Sequence, residues 1–363
     1  MKIIIIEPFY TGSHKSWIEG YKKSSNHNIR VISLPGRFWK WRMHGGAITL
    51  AKKYQNCKFN PDLILASDML NLPVFKSLIK ATCPIGLYFH ENQFTYPWSP
   101  NDTDPELQRD KHYGFINYSS ALSADHNYFN SQFHFDSFIY GLEKFLRQFP
   151  DYREIQNIEK IISKSSIMYL GMDLQKFDPF LTNNNNKPKI ILWNHRWEYD
   201  KNPDQFFEVM QNLSKNNIDF QLAVLGKEFK DENLCFTNAK KNLKKHIIHF
   251  GYTPSFADYA NWLCKADILP ITSNQDFFGA SIMEAVYCRT IPLLPNRLTY
   301  PELFDKQKNS ELFYINSNDL INKIEKLLTK ETAIENDSLH NIAKKFDWND
   351  MAKYYDEKLE QLI

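Results

Sequence analysis

The feature that most limits what this chain can fold into is an alternation that runs, stops once and runs again. Short apolar stretches suited to buried parallel strands fall at 2–6, 29–33, 62–66, 84–89, 126–129 and 167–170, with helical patterns between several of them, such as 136–149. Such βα alternation predicts a doubly wound parallel sheet. Thr182-Asn183-Asn184-Asn185-Asn186-Lys187-Pro188 then interrupts it with a polar, low-complexity linker. Strand patterns resume at 189–193, 220–225, 247–250, 267–271, 290–294 and 312–315. The fold class is therefore α/β, with Rossmann-like halves over 1–182 and 187–345; a length of 363 residues suits two cores. In the final segment, 346–363, Trp348, Met351, Ala352, Tyr355, Leu359 and Leu362 recur at helical spacing behind a cap at Asp347 or Asp350. This C-terminal helix is expected to cross back to the first domain.

Charge is uneven. Residues 1–60 hold eleven Lys and Arg against two acids, a net +9, which leaves −7 for the rest. A basic face on the first domain has two readings, a surface for a polyanion or a solvated surface without a partner. The five cysteines, Cys57, Cys83, Cys235, Cys264 and Cys288, are scattered and show no C-x-x-C spacing. That argues against a disulfide framework or zinc site and fits a reducing cytoplasm. The apolar run at 2–6 is too short for a signal peptide, and no stretch would span a membrane.

The densest chemistry in the second half is Asp276-Phe277-Phe278-Gly279-Ala280-Ser281-Ile282-Met283-Glu284-Ala285, after a strand and opening a helix. Helix-start N–H groups bind anions, and glycine lets a phosphate approach the backbone. Glu284, between one and two turns in, could accept from both ribose hydroxyls. Asp276 could face a sugar. The alternative is an ordinary strand–loop–helix with surface acids. A second cluster, Trp193-Asn194-His195-Arg196-Trp197-Glu198-Tyr199-Asp200-Lys201-Asn202-Pro203, puts a guanidinium fork and an ammonium on one loop, which suits a diphosphate. Alternatively, Arg196 and Lys201 pair with Glu198 and Asp200. Gly226-Lys227 and Gly251-Tyr252 end two further strands.

In the first half, Glu7-Pro8-Phe9-Tyr10-Thr11-Gly12-Ser13-His14-Lys15 makes a glycine-containing strand-to-helix turn that could meet a phosphate or sugar through Gly12, Ser13 and His14. It is not G-x-G-x-x-G, so nicotinamide binding has little support. His90-Glu91-Asn92-Gln93 follows a core strand at the edge where open α/β sheets bind ligands; Asp68 and Asn130-Ser131 end at the same edge. Arg37, Trp39, Lys40, Trp41 and Arg42 interleave cations with aromatics within a Gly36–His44 loop. Cations suit phosphates and indoles suit unpaired bases, although an amphipathic loop filling an interdomain gap would look the same.

The spacing from Asp276 to Glu284, with F-G following the first acid, resembles the E-x7-E signature of family-4 retaining glycosyltransferases, with Asp in place of the first Glu. More narrowly, five pieces together resemble the tRNA-queuosine α-mannosyltransferases. These are E-P-F-Y-x-G-S-H-K at the start, W-K-W-R-M at Trp39 to Met43, F-H-E-N-Q at Phe89 to Gln93, N-H-R-W-E at Asn194 to Glu198, and F-F-G with E-A-V-Y-C at Phe277 to Cys288. The resemblance implies a GT-B fold, with two Rossmann-like domains facing an interdomain cleft. It implies GDP-mannose as the sugar-nucleotide donor, the queuosine of a tRNA-Asp anticodon stem-loop as acceptor, retention of configuration, and neither cofactor nor metal. It places Arg196 and Lys201 at the diphosphate, Glu284 at the ribose and Tyr252 beside the base, with His90 and Asp276 near the transferred sugar. Phe278, Gly279, Ala280 and Ser281 would line the donor. On the acceptor side stand Arg37, Trp39, Lys40, Trp41, Arg42, Asp68, Glu91, Asn92 and Gln93. The rivals are a family-4 enzyme acting on a lipid or surface glycan, and a non-catalytic RNA-binding protein on the same fold.

Overall fold

The computed structural model describes residues 1–107, 109–182, 188–226, 234–329, 334 and 336–363. The chain divides into two units, Met1–Asp173 with Phe346–Ile363, and Leu174–Lys345. Of the expected linker at 182–188, residues 183–187 lie outside the described residues.

In the first unit six parallel strands run β1 (Lys2–Tyr10), β2 (Asn28–Pro35), β3 (Leu63–Ser67), β4 (Ile85–Phe89), β5 (His126–Phe129) and β6 (Ser165–Ile167), in the spatial order β2-β1-β3-β4-β5-β6. The isoleucines of β1 are buried on both faces, as a strand covered by helices on each side must be. Ile4, Ile6, Ile64, Leu87 and Phe129 form the middle of one core with Phe75, Phe138 and Leu142 from the flanking helices. The helix Trp348–Glu360, capped by Asp347, belongs to this unit and packs on the helix Gly12–Ser24. Asp356 joins them, accepting from the Tyr21 hydroxyl at 2.7 Å, Ser25 Oγ at 2.6 Å and the Asn26 N–H at 2.9 Å. Tyr355 adds a buried hydroxyl that receives the Trp17 indole N–H at 3.0 Å.

The second unit repeats the plan with β7 (Ile190–Trp193), β8 (Gln221–Leu225), β9 (Ile247–Gly251), β10 (Ile268–Pro270), β11 (Ile291–Pro295) and β12 (Phe313–Tyr314), ordered β12-β11-β10-β7-β8-β9 and all parallel. Its core gathers Trp193, Phe206, Phe207, Met210, Leu222 and Val224. Each sheet reverses its winding once. β1 has β2 on one side and β3 on the other; β7 has β8 on one side and β10 on the other. At such a switch point the two crossovers diverge and leave a crevice at the carboxyl ends of the strands.

Candidate functional sites at the two switch points

In the second unit the loops after β7 and β10 meet at the switch point. Asn274 N–H donates to the Asp200 carbonyl at 2.7 Å, tying the two loops together. Lys201 closes a single 3-10 turn, Tyr199–Lys201, and Asn202 follows in the left-handed region (φ 53°) to cap the helix Pro203–Lys215. This turn sinks the Lys201 ammonium, leaving the residue only 8% exposed. Its Nζ lies 2.9 Å from Asp276 Oδ1, 3.0 Å from Asp200 Oδ2 and 2.7 Å from the Gln275 carbonyl. The other oxygen of Asp276 accepts from the Tyr300 hydroxyl at 2.5 Å. Burial works against the charge on Lys201, but Asp276 and Asp200 outweigh it and hold the ammonium above its ordinary pKa. Burial likewise pushes Asp276 up, yet Lys201, His195 and Tyr300 hold it below the usual carboxylate range. Both groups are therefore ionised at neutral pH.

The alternative pairing foreseen from sequence is present, since Arg196 lies 3.1 Å from Glu198 and Lys201 meets Asp200. Lys201 nevertheless reaches past Asp200 to Asp276, so the ammonium and the acid occupy one cluster. The Arg196 side chain is 58% exposed and stands at the rim. Gly279 has φ 81°, a conformation glycine adopts without strain, and starts the helix Ala280–Tyr287, which has no side-chain cap. The open first turn is suited to an anion. Asn194 Nδ2 donates to the Ser281 carbonyl at 2.7 Å, and Ser281 Oγ lies 3.2 Å from His195 Nδ1. Burial pushes the His195 imidazole down to about 4, with Asp276 opposing, so it is neutral. Asn194 Oδ1, His195 Nε2 and Gln275 Nε2 are buried atoms with no hydrogen-bond partner among the described residues. Three such atoms around one crevice are what a polar ligand would satisfy.

Glu284 lies 3.2 Å from the Lys176 ammonium and accepts from the Tyr259 hydroxyl at 2.8 Å. Lys176 sits in the 3-10 helix Gln175–Phe180, which belongs to the second unit. Placing the division at 182 assigned it to the other domain, so sequence reasoning missed it. Phe278 is buried, Ala280 and Ser281 are half-buried, and Tyr252 is exposed just after Gly251 at the end of β9. Lys227 lies outside the described residues.

In the first unit the same edge gathers Glu7, His14, Asp68, His90 and Glu91. Glu7 is fully buried; one oxygen accepts from the Phe9 N–H at 2.7 Å and the other lies 3.0 Å from His14 Nδ1. Gly12, at φ 50°, makes the turn, and with Ser13 it is exposed, whereas His14 points inward. Burial acts to lower the His14 pKa. Glu7, reinforced by Asp68 and Glu91, outweighs it and pushes the imidazole up to about 9. His14 is thus an imidazolium. Its ring lies 4.1 Å from that of His90, which burial, His14 and His134 keep neutral. Asp68 Oδ1 accepts the His90 N–H at 2.8 Å, while Asp68 Oδ2 and His90 Nε2 are buried with no partner among the described residues. One ligand atom each from Glu7, His14 and His90 lies within 4.8 Å of the others, close enough to share a metal. Without a metal the grouping is an ion pair between Glu7 and the His14 imidazolium, and a metal would have to displace that proton to bind.

Two sequence expectations are corrected here. Asn92, expected on the acceptor side, is fully buried, and its Oδ1 is spent on the N–H groups of Phe94 and Thr95 at 3.1 Å each, shaping the turn. The basic-aromatic stretch is not a loop but the start of the helix Trp39–Gln55. Within it Lys40 is already held by Asp102 at 2.7 Å and Asp104 at 2.5 Å, which depletes it as a phosphate contact. Trp39 packs against Trp98 and Tyr113. Arg42 Nε donates to the Pro35 carbonyl, while Arg37 is exposed. The open aromatics are Trp41, 64% exposed, and Phe38, 73% exposed. Phe38 flanks the start of the helix. It holds the left-handed region at φ 56°, a strained conformation for a bulky side chain, and this presents its ring at the helix start. Glu91 accepts from Gln93 Nε2 at 2.9 Å.

Comparison with known proteins agrees with this division. Residues 2–172 match the family described as tRNA-queuosine alpha-mannosyltransferase N-terminal, and residues 175–346 match Glycosyl transferases group 1. A tRNA-queuosine alpha-mannosyltransferase of Drosophila melanogaster is 32% identical over 334 residues, covering 89% of this chain and 85% of the relative. Among solved structures, a sucrose-phosphate synthase from Thermosynechococcus elongatus superposes with a TM-score of 0.74 at 13% identity, covering 100% of this chain and 99% of its own. A glycosyltransferase from Rickettsia africae gives 0.69 at 17%, covering 99% and 98%. At these identities the structural likeness speaks for the fold alone, which is GT-B.

Proposed function

The chain belongs to the tRNA-queuosine alpha-mannosyltransferase family, and from that premise we propose that it transfers mannose from GDP-mannose to the queuosine of tRNA-Asp, with retention and without a metal or other cofactor. The observation that carries this reading is the match of the first unit, rather than only the second, to that family. Among the described residues no helix is long and apolar enough to cross a membrane, and a cytoplasmic site of action fits a tRNA substrate.

The donor reading rests on the second unit. The uncapped start of the helix Ala280–Tyr287 and the Arg196 fork receive the diphosphate. The buried Lys201 adds positive potential where the leaving group gains charge, an interaction stronger in the transition state than in the ground state. Glu284 takes the ribose hydroxyls by exchanging its pairing with Lys176 and Tyr259. Asp276, fixed by Lys201 and Tyr300, faces the sugar. Retention here needs no covalent enzyme intermediate, because the departing phosphate can take the acceptor proton on the same face.

The acceptor reading rests on the first unit. Trp41 and Phe38 offer stacking faces beside Arg37 and Arg42, a combination suited to splayed bases and phosphates. The direct test is mass spectrometry of tRNA nucleosides from cells with and without the gene, paired with transfer assays on purified protein using GDP-mannose, UDP-glucose and UDP-galactose. A hexosylated queuosine that depends on the gene and on GDP-mannose is expected. No hexosylated queuosine from any donor would overturn the assignment.

A further inference from the structure

The first unit combines two features that oppose one another. Its helix Trp39–Gln55 and the +9 charge of residues 1–60 suit a polyanion, yet the crevice at its switch point is lined by carboxylates. Glu7 ends β1, Asp68 follows β3 and Glu91 follows β4. A single imidazolium, His14, stands among them. With Glu7 spent on His14, Asp68 and Glu91 leave the crevice acidic rather than basic, which does not favour a phosphate backbone. Such a lining suits a cationic or neutral polar group instead.

Two side-chain atoms indicate where. Asp68 is fully buried and spends one oxygen on the His90 N–H, while its Oδ2 has no partner among the described residues. His90 Nε2 is likewise buried with no partner among them. Both of Glu7's oxygens are already occupied, by the Phe9 N–H and by His14, so Glu7 acts as a positioning residue that holds the imidazolium. Asp68 interacts electrostatically with His14, Glu91 and Glu7, and so belongs to the same cluster.

We propose that Asp68, with Glu91 at the rim and His90 beside it, forms a seat for a cationic amine carrying neighbouring hydroxyls, which is the chemistry queuosine adds to a guanine-like base through its secondary amine and cyclopentenediol. An ammonium supplies the positive charge that the crevice lacks. The free Asp68 oxygen and the His90 Nε2 lone pair accept from its N–H or from a hydroxyl. Burial raises the Asp68 carboxyl well above its ordinary pKa in the empty protein, and His14 only partly offsets this, so an arriving ammonium, which favours the carboxylate, acts to lower it again. The groups facing Asp68 are Glu7, His14, Tyr88, His90 and Glu91.

This inference rests on queuosine-tRNA as the acceptor, and its test separates the two. The full chain is titrated, without donor, with one tRNA carrying queuosine and with the same tRNA carrying guanosine at that position. Wild type is expected to prefer the queuosine form. Asp68→Asn is expected to cut that preference by about 10- to 100-fold, the value of one charge-assisted hydrogen bond, while affinity for the guanosine form stays within about two-fold. Glu91→Gln, at the half-exposed rim, is expected to cut it by about 3- to 10-fold and serves if Asp68→Asn does not fold. An unchanged preference in the folded variants overturns the seat, even with wild-type transfer intact. Failure of wild type to hexosylate queuosine-tRNA would instead overturn the proposed function.

Discussion

The two switch points face the same electrostatic problem and answer it differently. Each buries one cation among more than one carboxylate at the mouth of a parallel sheet. In the second unit the cation is a lysine with permanent charge, and it holds Asp276 ionised below the usual range. In the first unit the cation is a histidine whose charge depends on Glu7, and Asp68 is driven up rather than down. The second crevice is therefore preorganised before any ligand arrives, as a site stabilising developing charge must be. The first is left short of positive charge, which the amine proposed to sit there would supply.

The sharpest way to break this contrast is Lys201→Ala. It strands Asp200 and Asp276 in a buried site, and urea denaturation should show a loss of about 3–5 kcal/mol together with loss of transfer. Unchanged stability would mean the lysine is not the keystone of the second crevice. Next, Asp276→Asn keeps the size but removes the charge; transfer should fall by about 10²- to 10³-fold while tRNA affinity, measured by filter binding, is unchanged.

A pH series sharpens the other half. The folded His14 pKa, about 9, lies above the unfolded value of 6.5. Its contribution is thus fully present below about pH 6.5 and lost as pH rises through about 9. At most it is on the order of 3 kcal/mol. Glu7→Gln should be less stable than wild type at pH 6, with the difference narrowing by pH 9.5. A constant difference would sink the ion-pair account. The smallest effect expected is Trp41→Ala, which should weaken tRNA binding by about 1–3 kcal/mol and leave donor binding alone.

Periodicity made the sheets legible, because strands covered on both faces must be apolar throughout, and β1 and β7 are. The loop leading into the helix Ala280–Tyr287 was legible for a similar reason: Gly279, Asp276 and Glu284 keep a local spacing that the helix start turns into geometry. What stayed hidden was tertiary. Nothing near Lys40 announces Asp102 and Asp104, and nothing near Glu284 announces Lys176. The helix starting at Trp39 was read as a loop because its flanking residue is a left-handed Phe38 rather than a recognisable cap. Asn92 looked available because polar residues after a core strand can face either the crevice or their own turn, and sequence does not choose between them.

The Asp356 junction has a consequence for how the protein is made. The first unit is built from both ends of the chain, with Asp356 and Tyr355 completing hydrogen bonds to Tyr21, Ser25, Asn26 and Trp17. On the ribosome, domains generally fold as they emerge, N-terminal first. Here the unit that begins first cannot finish until the final helix has left the exit tunnel, by which time all of the second unit has been synthesised. A nascent chain stalled before Phe346 would carry the whole second unit and a first unit whose last wall is missing.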